Sequence, residues 1–329
     1  MAENISILIL GTGSTAASMG LALRRAGENF NRIGYDPDPA TARQAQQAGA
    51  VDKVISHPRG AAEEADLVLL NLSSPHALWA AEAIAERLKP DTVVLSTVGL
   101  RDAAMQAVRM RLAPKNLCLG AVPFLGPRRA LAPSEGGGEP TADMFENGML
   151  GIVAPPGTPE GAVQICMDLA AILGATPFFL ESAELDSVTA TSEEIPSVLA
   201  AALLESLQVN PGWRDQRRLV GRSFAQLAGL IERRAGGGWA EELIANRGPL
   251  IARLEALAQE LESLRAMLAS GDEGGLTARL ERAAEIYQDW RSVRLASRPD
   301  HGVELPGVPR LDLFERLLGR RQRPVPKKT

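Results

Sequence analysis

The sequence predicts an α/β domain with a mostly parallel sheet, followed by an all-helical C-terminal domain. Short apolar runs of strand length alternate with helix-like segments from Ile5 to Leu180. A tight glycine turn joins the first apolar run, Ile5 to Leu10, to the first helical segment. After residue 182 the alternation stops, and only helical periodicity continues. We therefore expect domains at residues 1–182 and 183–296, with a basic, proline-rich tail at 297–329.

The first turn has the residue types that a dinucleotide phosphate requires. It consists of Gly11, Thr12, Gly13, Ser14, Thr15 and Ala16. Gly11 permits the sharp turn, Gly13 lets the backbone approach a pyrophosphate, and Ala16 allows close packing of the helix on the strand. The helix-like segment Ala17 to Ala26 follows, and its N-terminus offers N–H groups and a positive dipole end to the phosphates.

An acidic residue, Asp36, ends the second apolar piece, Arg32 to Tyr35. It lies near the interval of roughly twenty residues at which a carboxylate accepts hydrogen bonds from the adenine ribose. The same carboxylate would repel a 2′-phosphate, so NAD is favoured over NADP. Strand, glycine turn, helix, strand and acidic residue together predict a Rossmann-type doubly wound sheet. Ser73 and Ser74 follow a later strand and are expected beside the same cofactor.

The remaining elements of the first domain follow from apolar runs and from the glycine and proline residues that separate them. Further strands are expected at Lys53–Ile55, Asp66–Leu72, Thr92–Leu95, Asn116–Val122, Met149–Ala154 and Thr176–Leu180. Helical segments are expected at Pro39–Ala48, Ala61–Ala65, Ala77–Leu88, Asp102–Leu112 and Thr158–Leu173.

Composition describes an ordinary globular protein of 329 residues, with 45% hydrophobic and 23% charged residues. The net charge of −5 does not support a nucleic-acid-binding surface, and no apolar run approaches the length of a membrane span. Cys118 and Cys166 are expected to be buried free thiols, since a disulfide framework or zinc site needs more ligands. Met1 leads almost directly into the first strand, so we expect a cytoplasmic protein without a signal peptide. For want of ligands, we also expect no bound metal.

A leucine stripe lies in the helical domain. Its members fall at alternating four- and three-residue steps: Leu250, Leu254, Leu257, Leu261, Leu264 and Leu268. This spacing places them on one face of a long helix. Packing inside a helical bundle explains the stripe, and a homodimer seam is a second use of it.

Several motifs outside the glycine turn give the chain a resemblance to the prephenate and arogenate dehydrogenases, from about Ile5 to Arg294. They are Met144 to Gly148 with Val153 to Pro155, Gly174-Ala175, Asp186 to Pro196 (DSVTATSEEIP), Trp239 to Arg247 (WAEELIANR) and Trp290-Arg291. The order and spacing of these passages are similar to the family's pattern.

The resemblance implies an NAD-linked oxidative decarboxylation, in which prephenate becomes 4-hydroxyphenylpyruvate in tyrosine biosynthesis. It also implies a dimer. In the family a histidine accepts the proton of the substrate hydroxyl, and arginine binds the carboxylates of this small-molecule substrate.

The sequence departs from the family pattern at the residues that perform the chemistry. The family's histidines correspond to Val122, Leu185, Glu194 and Ser197, and one carboxylate-binding arginine corresponds to Gln226. A polar passage after the fifth strand is reduced to Ser96, Gly99 and Arg101. Valine neither donates, accepts nor titrates. Loss of a general base costs about 10²–10⁴-fold in rate.

Other residues are candidates for the missing roles. His76 is expected near the nicotinamide as a proton acceptor, although a histidine at a helix start commonly faces solvent. Glu194 is a candidate base or a partner for an amine-bearing substrate; a solvated acidic pair with its neighbour is the alternative. The candidate carboxylate ligands are Arg222, one turn before Gln226, together with Arg128, Arg129 and Arg247.

Three functions therefore stay open at the level of sequence. The first is a dehydrogenase of the prephenate type with an altered pocket. The second is a dehydrogenase for another small hydroxy or amino acid on this scaffold. The third is a non-catalytic, NAD-binding regulatory protein.

Overall fold

The computed structural model describes residues 4–27, 29–98, 102–112, 116–131, 139–231 and 239–296. The chain divides into two compact units, of which the first extends to Ser182 and the second begins at Ala183. The expected tail at 297–329, with His301, lies outside the described residues, as do Gly99 and Arg101.

The first unit contains a single eight-stranded sheet in its described part. Its strands are β1 (Ile5–Leu10), β2 (Phe30–Tyr35), β3 (Lys53–Val54), β4 (Leu67–Leu70), β5 (Val93–Ser96), β6 (Leu117–Phe124), β7 (Met149–Val153) and β8 (Thr176–Phe179). The spatial order is β3-β2-β1-β4-β5-β6-β7-β8, and only the β6–β7 pair is antiparallel. The predicted doubly wound, mostly parallel sheet is confirmed.

Helices cover both faces of this sheet. They are α1 (Ser14–Ala26), α2 (Pro39–Gln47), α3 (Arg59–Ala62), α4 (Ser74–Ala85), α5 (Asp102–Arg111), α6 (Pro127–Ala130) and α7 (Glu160–Leu173). Every residue of β1 is buried. Alternate side chains of β1 enter different cores: Ile5, Ile7 and Ile9 pack with α1 and α7, whereas Leu8 and Leu10 pack with α4 and α5. Burial on both faces explains why this strand reads as a continuous apolar run.

Two boundaries differ from the expectation in an informative way. Helix α4 begins at Ser74, three residues before the expected Ala77, because Ser73 takes the N-cap position and Pro75 fits the first helical turn. Strand β6 continues past Val122 to Phe124, because the antiparallel strand β7 pairs with this end, Pro123 lying opposite Leu150.

The second unit is helical throughout its described part, as predicted. It contains α8 (Ser182–Thr189), a π-helical turn (Ala190–Glu194), α9 (Ile195–Gln208), α10 (Trp213–Gln216), α11 (Arg222–Ala228), α12 (Trp239–Ala245), α13 (Arg247–Ser270) and α14 (Glu273–Leu295). Helix α13 carries the predicted leucine stripe. Leu250 at its start is buried, whereas Leu261 and Leu268 are exposed.

Candidate functional site

The glycine turn after β1 has the geometry that a dinucleotide requires. Gly11 has φ +85°, and a Cβ added there would lie 2.2 Å from the carbonyl oxygen of Asn71, so only glycine fits. A Cβ added at Gly13 would meet nothing within 4 Å. The space above the second glycine is therefore open, as the approach of a pyrophosphate demands.

The N-terminus of α1 faces the same turn. Gly13 is the N-cap residue, and no side chain caps the helix with a hydrogen bond. Ser14 and Thr15 form the first turn of the helix, and Ala16 behind them is fully buried against the core. The first N–H groups of a helix have no partner within it, and together with the dipole they attract phosphate.

The carboxylate of Asp36 is held beside this turn. Its Oδ2 accepts hydrogen bonds from the Thr12 backbone N–H at 2.7 Å and from the Thr12 hydroxyl at 3.2 Å. Its Oδ1 accepts from the Asp38 backbone N–H at 2.9 Å. A carboxylate has about four lone-pair sites, so acceptor capacity is left on Oδ1 for one ribose hydroxyl.

Strand β4 lies next to β1, and its carboxyl end leads to the second group of predicted cofactor residues. Ser73 and Ser74 are half-buried there, at the start of α4. The Ser73 hydroxyl lies 3.0 Å from Nδ1 of His76, whose side chain is exposed. This contact occupies Nδ1, so Nε2 is the ring nitrogen available to a ligand.

The family's histidine position, Val122, lies in β6 opposite Gly151 of β7 and is half-buried. A polar pocket follows the end of this strand and is lined by Gly126, Arg128, Arg129, Asp143, Glu146 and Asn147. Arg129 donates to Oδ1 of Asp143 at 2.8 Å, and this hydrogen bond is the main cause that lowers the pKa of the carboxyl. Because Arg129 is paired, Arg128 is the better placed of the two for an anion.

In the helical unit, Glu194 ends the π-helical turn and is 3% exposed. Its Oε2 accepts a hydrogen bond of 2.6 Å from Nδ2 of Asn246, which also donates to the Asp186 carbonyl at 3.2 Å. Oδ1 of Asn246 is buried and has no partner in the described part of the chain. The alternative interpretation of Glu194 as part of a solvated acidic pair is therefore wrong.

The other positions of lost family histidines are also buried. Leu185 of α8 is 4% exposed and Ser197 of α9 is 3% exposed. The Ser197 hydroxyl donates to the Glu193 carbonyl at 2.9 Å, within its own helix. Both side chains therefore serve packing in this unit.

The candidate carboxylate ligands of the helical unit are exposed. Arg222 begins α11, and Gln226 follows one turn later on the same side of the helix. Arg247 begins α13 directly after Asn246, and its side chain donates a long hydrogen bond, 3.4 Å, to the Ile244 carbonyl. Their binding of a substrate carboxylate stays a prediction.

The two cysteines are buried free thiols, as predicted. Burial raises the pKa of the Cys118 and Cys166 thiols to about 12, so neither is a nucleophile at neutral pH. The described residues contain no cluster of ligands that would hold a metal ion. Among the described helices, none combines the length and apolar character needed to cross a membrane.

Sequence reasoning missed two features. Asn246 contacts Glu194 across 52 residues of chain, which no local pattern reveals. Trp79 contacts the rings of Tyr35 and His57, which come from two other elements. A tryptophan among the alanines of the first half of α4 was the one available signal.

An open space above Gly13, an uncapped helix N-terminus and a fixed carboxylate after β2 lie at neighbouring strand ends, which is the arrangement that a dinucleotide site requires. This combination on a doubly wound sheet defines the class of NAD-dependent dehydrogenases.

Comparison with known proteins narrows this class. A family model described as the nucleotide-binding domain of prephenate dehydrogenase matches residues 19–175. A probable prephenate dehydrogenase, NovF, of Streptomyces niveus is 26% identical over 290 residues, covering 85% of this chain and 74% of that protein. The prephenate dehydrogenase of Lactococcus lactis subsp. cremoris is 24% identical over 298 residues, covering 86% of this chain and 76% of that protein.

Solved structures show the same fold. Prephenate dehydrogenase from A. aeolicus, in complex with hydroxyphenyl propionate and NAD+, superposes with a TM-score of 0.74 at 17% identity, covering 87% of this chain and 98% of that chain. Synechocystis arogenate dehydrogenase superposes with a TM-score of 0.65 at 17% identity, covering 87% of this chain and 100% of that chain. Residues 19–175 thus match the nucleotide-binding domain of prephenate dehydrogenase, and the chain is similar to prephenate dehydrogenases over most of its length.

Proposed function

We propose that the chain catalyses an NAD-dependent oxidative decarboxylation of the prephenate type, through a pocket altered at Val122, Glu194 and Gln226. The conversion of prephenate to 4-hydroxyphenylpyruvate, in tyrosine biosynthesis, is the reference reaction. The observation that carries the proposal is the open space above Gly13 beside the fixed carboxylate of Asp36. The cytoplasmic location expected from the sequence is part of the same proposal.

Residues of the first unit would hold the cofactor. The backbone of Gly11 to Thr15 takes the pyrophosphate, Asp36 takes the adenine ribose, and Ser73 and Ser74 lie at the neighbouring strand end. Bound NAD would supply the hydride acceptor for the substrate carbon that bears the hydroxyl.

His76 is the proposed proton acceptor, since Val122 cannot titrate. Its Nε2 takes the proton of the substrate hydroxyl, while Ser73 holds Nδ1 at 3.0 Å. The carbon–carbon bond to the ring carboxylate breaks, its electron pair enters the ring, and carbon dioxide leaves as the ring becomes aromatic. The former hydroxyl oxygen receives this electron pair through the ring and takes back a proton as the phenol forms, so the net reaction removes one hydride and carbon dioxide and no proton.

Substrate carboxylates are assigned to the exposed cations of the helical unit. Arg247 and Arg222 are the proposed ligands, with Gln226 as an uncharged donor on the turn after Arg222. The hydrogen bond from Asn246 to Glu194 favours a positioning role for Glu194, because it fixes the residue that precedes Arg247. Replacing the family's arginine by Gln226 costs about 1.5–3 kcal/mol of charge-assisted binding.

A dehydrogenase for another small hydroxy or amino acid is the second candidate. The observation in its favour is the carboxylate of Glu194 at a position where the family has a histidine. Oδ1 of the adjacent Asn246 is a second buried acceptor. Two neighbouring acceptors suit a substrate with an additional donor, such as an amine. The absence of the family's histidines favours the third function, a non-catalytic NAD-binding regulatory protein.

A homodimer through the helical domain is also proposed. Helix α14 exposes large apolar side chains along its length: Leu280, Ile286, Tyr287, Trp290, Val293 and Leu295. Ile286, Trp290 and Val293 follow one another at four- and three-residue steps, so they share one side of the helix. Contiguous exposed apolar surface of this kind marks a protein interface.

A pair of assays separates the functions. Calorimetry with NAD and NADP measures the cofactor site, and NADH fluorescence with prephenate, arogenate and a panel of hydroxy acids measures turnover. Prephenate turnover at an ordinary enzyme rate supports the first function, and turnover of another acid alone supports the second. Tight NAD binding without any turnover leaves the regulatory function. Failure to bind NAD contradicts all three.

The role of His76 makes a separate prediction. His76→Ala should lower kcat by about 10²–10⁴-fold, because the hydroxyl proton loses its acceptor, while the Kd for NAD stays unchanged. The readouts are steady-state turnover of the substrate and calorimetry with NAD. Full activity in this variant would remove His76 from the mechanism.

A further inference from the structure

Three aromatic rings meet near the end of β2. Tyr35 is the last residue of β2, Trp79 lies in α4, and His57 follows β3. The ring centroids of Tyr35 and Trp79 are 5.7 Å apart, and His57 meets Trp79 edge-on at 5.5 Å. The indole is thus held by a ring from each of two other elements.

Trp79 is not part of the core of α4. Its neighbours Ala77, Ala80 and Ala81 are buried to 1% exposure or less, whereas Trp79 keeps 40% of its surface exposed. The buried side of this helix consists of these three alanines and Ile84, so the indole adds a flat apolar surface at the rim that lies outside the packed side.

This surface lies beside the predicted ribose site. Tyr35 directly precedes Asp36, and its carbonyl accepts a hydrogen bond of 2.7 Å from the Gly11 backbone N–H. The carboxyl ends of β1, β2 and β4 are adjacent in the sheet, and α4 follows β4. Because adenine is bonded to the ribose that Asp36 would hold, the base has to lie near these rings.

We propose that the indole of Trp79, held in place by Tyr35 and His57, stacks on the adenine ring of the coenzyme. The inference rests on the proposed NAD binding and assigns the adenine end of that site. An indole fixed in one orientation loses little side-chain entropy on binding, and base–aromatic stacking is favourable for any purine.

Binding measurements with NAD and ADP-ribose test the stacking directly, because both ligands carry the adenosine. Trp79→Leu keeps apolar bulk but removes the ring, so both Kd values should rise by about tenfold. Trp79→Phe keeps a ring, so both should stay within about threefold of wild type. Trp213→Phe, in the helical unit, is the matched control and should leave both Kd values unchanged.

Tryptophan fluorescence provides a second readout that does not depend on activity. ADP-ribose should quench the emission of the wild-type protein and of Trp213→Phe, whereas Trp79→Phe should lose the quench. Thermal unfolding midpoints of the variants, measured without ligand, separate a folding defect from a lost contact.

Unchanged Kd values in Trp79→Leu, with NAD still bound by the wild type, would overturn the stacking and leave the NAD site intact. A quench that persists in Trp79→Phe would overturn it as well. If the wild type binds neither NAD nor ADP-ribose, the proposed function fails and this inference fails with it.

Discussion

At the residue scale, Asp36 combines an observed structural task with a proposed cofactor task. Its two oxygens accept hydrogen bonds from Thr12 and Asp38, which fixes the carboxylate beside the glycine turn. The negative charge stays half-exposed there. Coenzyme preference therefore depends on a single charge whose position the backbone determines.

Asp36→Asn should raise the Kd for NAD by about tenfold, because hydrogen bonds to a charged acceptor are stronger than bonds to a neutral one. The same change should tighten NADP, because the repulsion of its 2′-phosphate is removed. The asparagine side-chain oxygen can keep the bond to the Thr12 N–H, so the fold should persist. Calorimetry with both coenzymes is the measurement.

Asp38→Asn is the matched control, since it removes the same charge two residues away. Asp38 caps α2 through the N–H groups of Ala40 and Thr41, and asparagine is an equally good N-cap. The affinities of Asp38→Asn for NAD and NADP should equal those of the wild type. An equal shift in both variants would mean that general charge, and not the ribose contact, sets the preference.

Glu194 shows what residue types alone leave undecided. The sequence offers a carboxylate where the family has a histidine, and a base, an amine ligand and a solvated charge were all compatible with it. The structure places it 3% exposed and bonded to Asn246. Its proposed catalytic role, like those of His76, Arg222 and Arg247, stays a prediction.

At the element scale, one buried side chain joins several pieces of the first unit. Arg32 of β2 is 4% exposed and donates to the Asp52 carboxylate before β3. It also donates to the carbonyls of Gly20 in α1, at 2.9 Å, and Gly49 after α2, at 3.0 Å. The strand that carries Asp36 is thereby tied to both helices of its face.

Arg32→Met should lower the free energy of unfolding by about 2–4 kcal/mol, because it leaves buried acceptors without their donor. Arg87→Met is the control: Arg87 also pairs with a carboxylate, Glu63, but both side chains are about half-exposed. An exposed pair contributes less than about 1 kcal/mol. Urea unfolding, monitored by circular dichroism, measures the free energy of unfolding of both variants. An equal decrease in the two variants would contradict the role of the buried Arg32.

Element positions were predictable where local chemistry defines both ends. Strand β1 occupies Ile5 to Leu10 as expected, because a continuous apolar run ends at a glycine. Helix α4 began earlier than its apolar pattern, since a serine cap and a proline in the first turn extend a helix without apolar residues. The last two residues of β6, Pro123 and Phe124, are in the strand because they pair with Leu150 and Met149 of β7, which are distant in the sequence.

At the scale of the whole molecule, the largest unexplained feature is the apolar surface of the last helix. The leucine spacing of α13 predicted a long helix with either a bundle or a dimer role, whereas this surface lies on the next helix, α14. In α14, Ile286 and Trp290 remain 65% and 45% exposed. Within the described residues, these side chains keep about half or more of their surface exposed, and the proposed homodimer would cover it with a second copy.

Ile286→Glu should shift the protein from a dimer to a monomer at micromolar concentration, because it places a charge in the proposed seam. Sedimentation velocity gives the mass. Gln288→Glu introduces the same charge on the other side of α14 and should stay dimeric. A wild-type protein that sediments as a monomer would contradict the homodimer.

The sequence by itself determined the class of fold and the cofactor site, because both depend on short-range patterns. Apolar periods specify strands and helices, and a glycine turn with an acidic residue after the next strand specifies a dinucleotide site. Only the tertiary structure decided which distant residues meet. The contact of Glu194 with Asn246 and the aromatic cluster around Trp79 join segments far apart in the chain, and their geometry follows from packing, which no local spacing encodes.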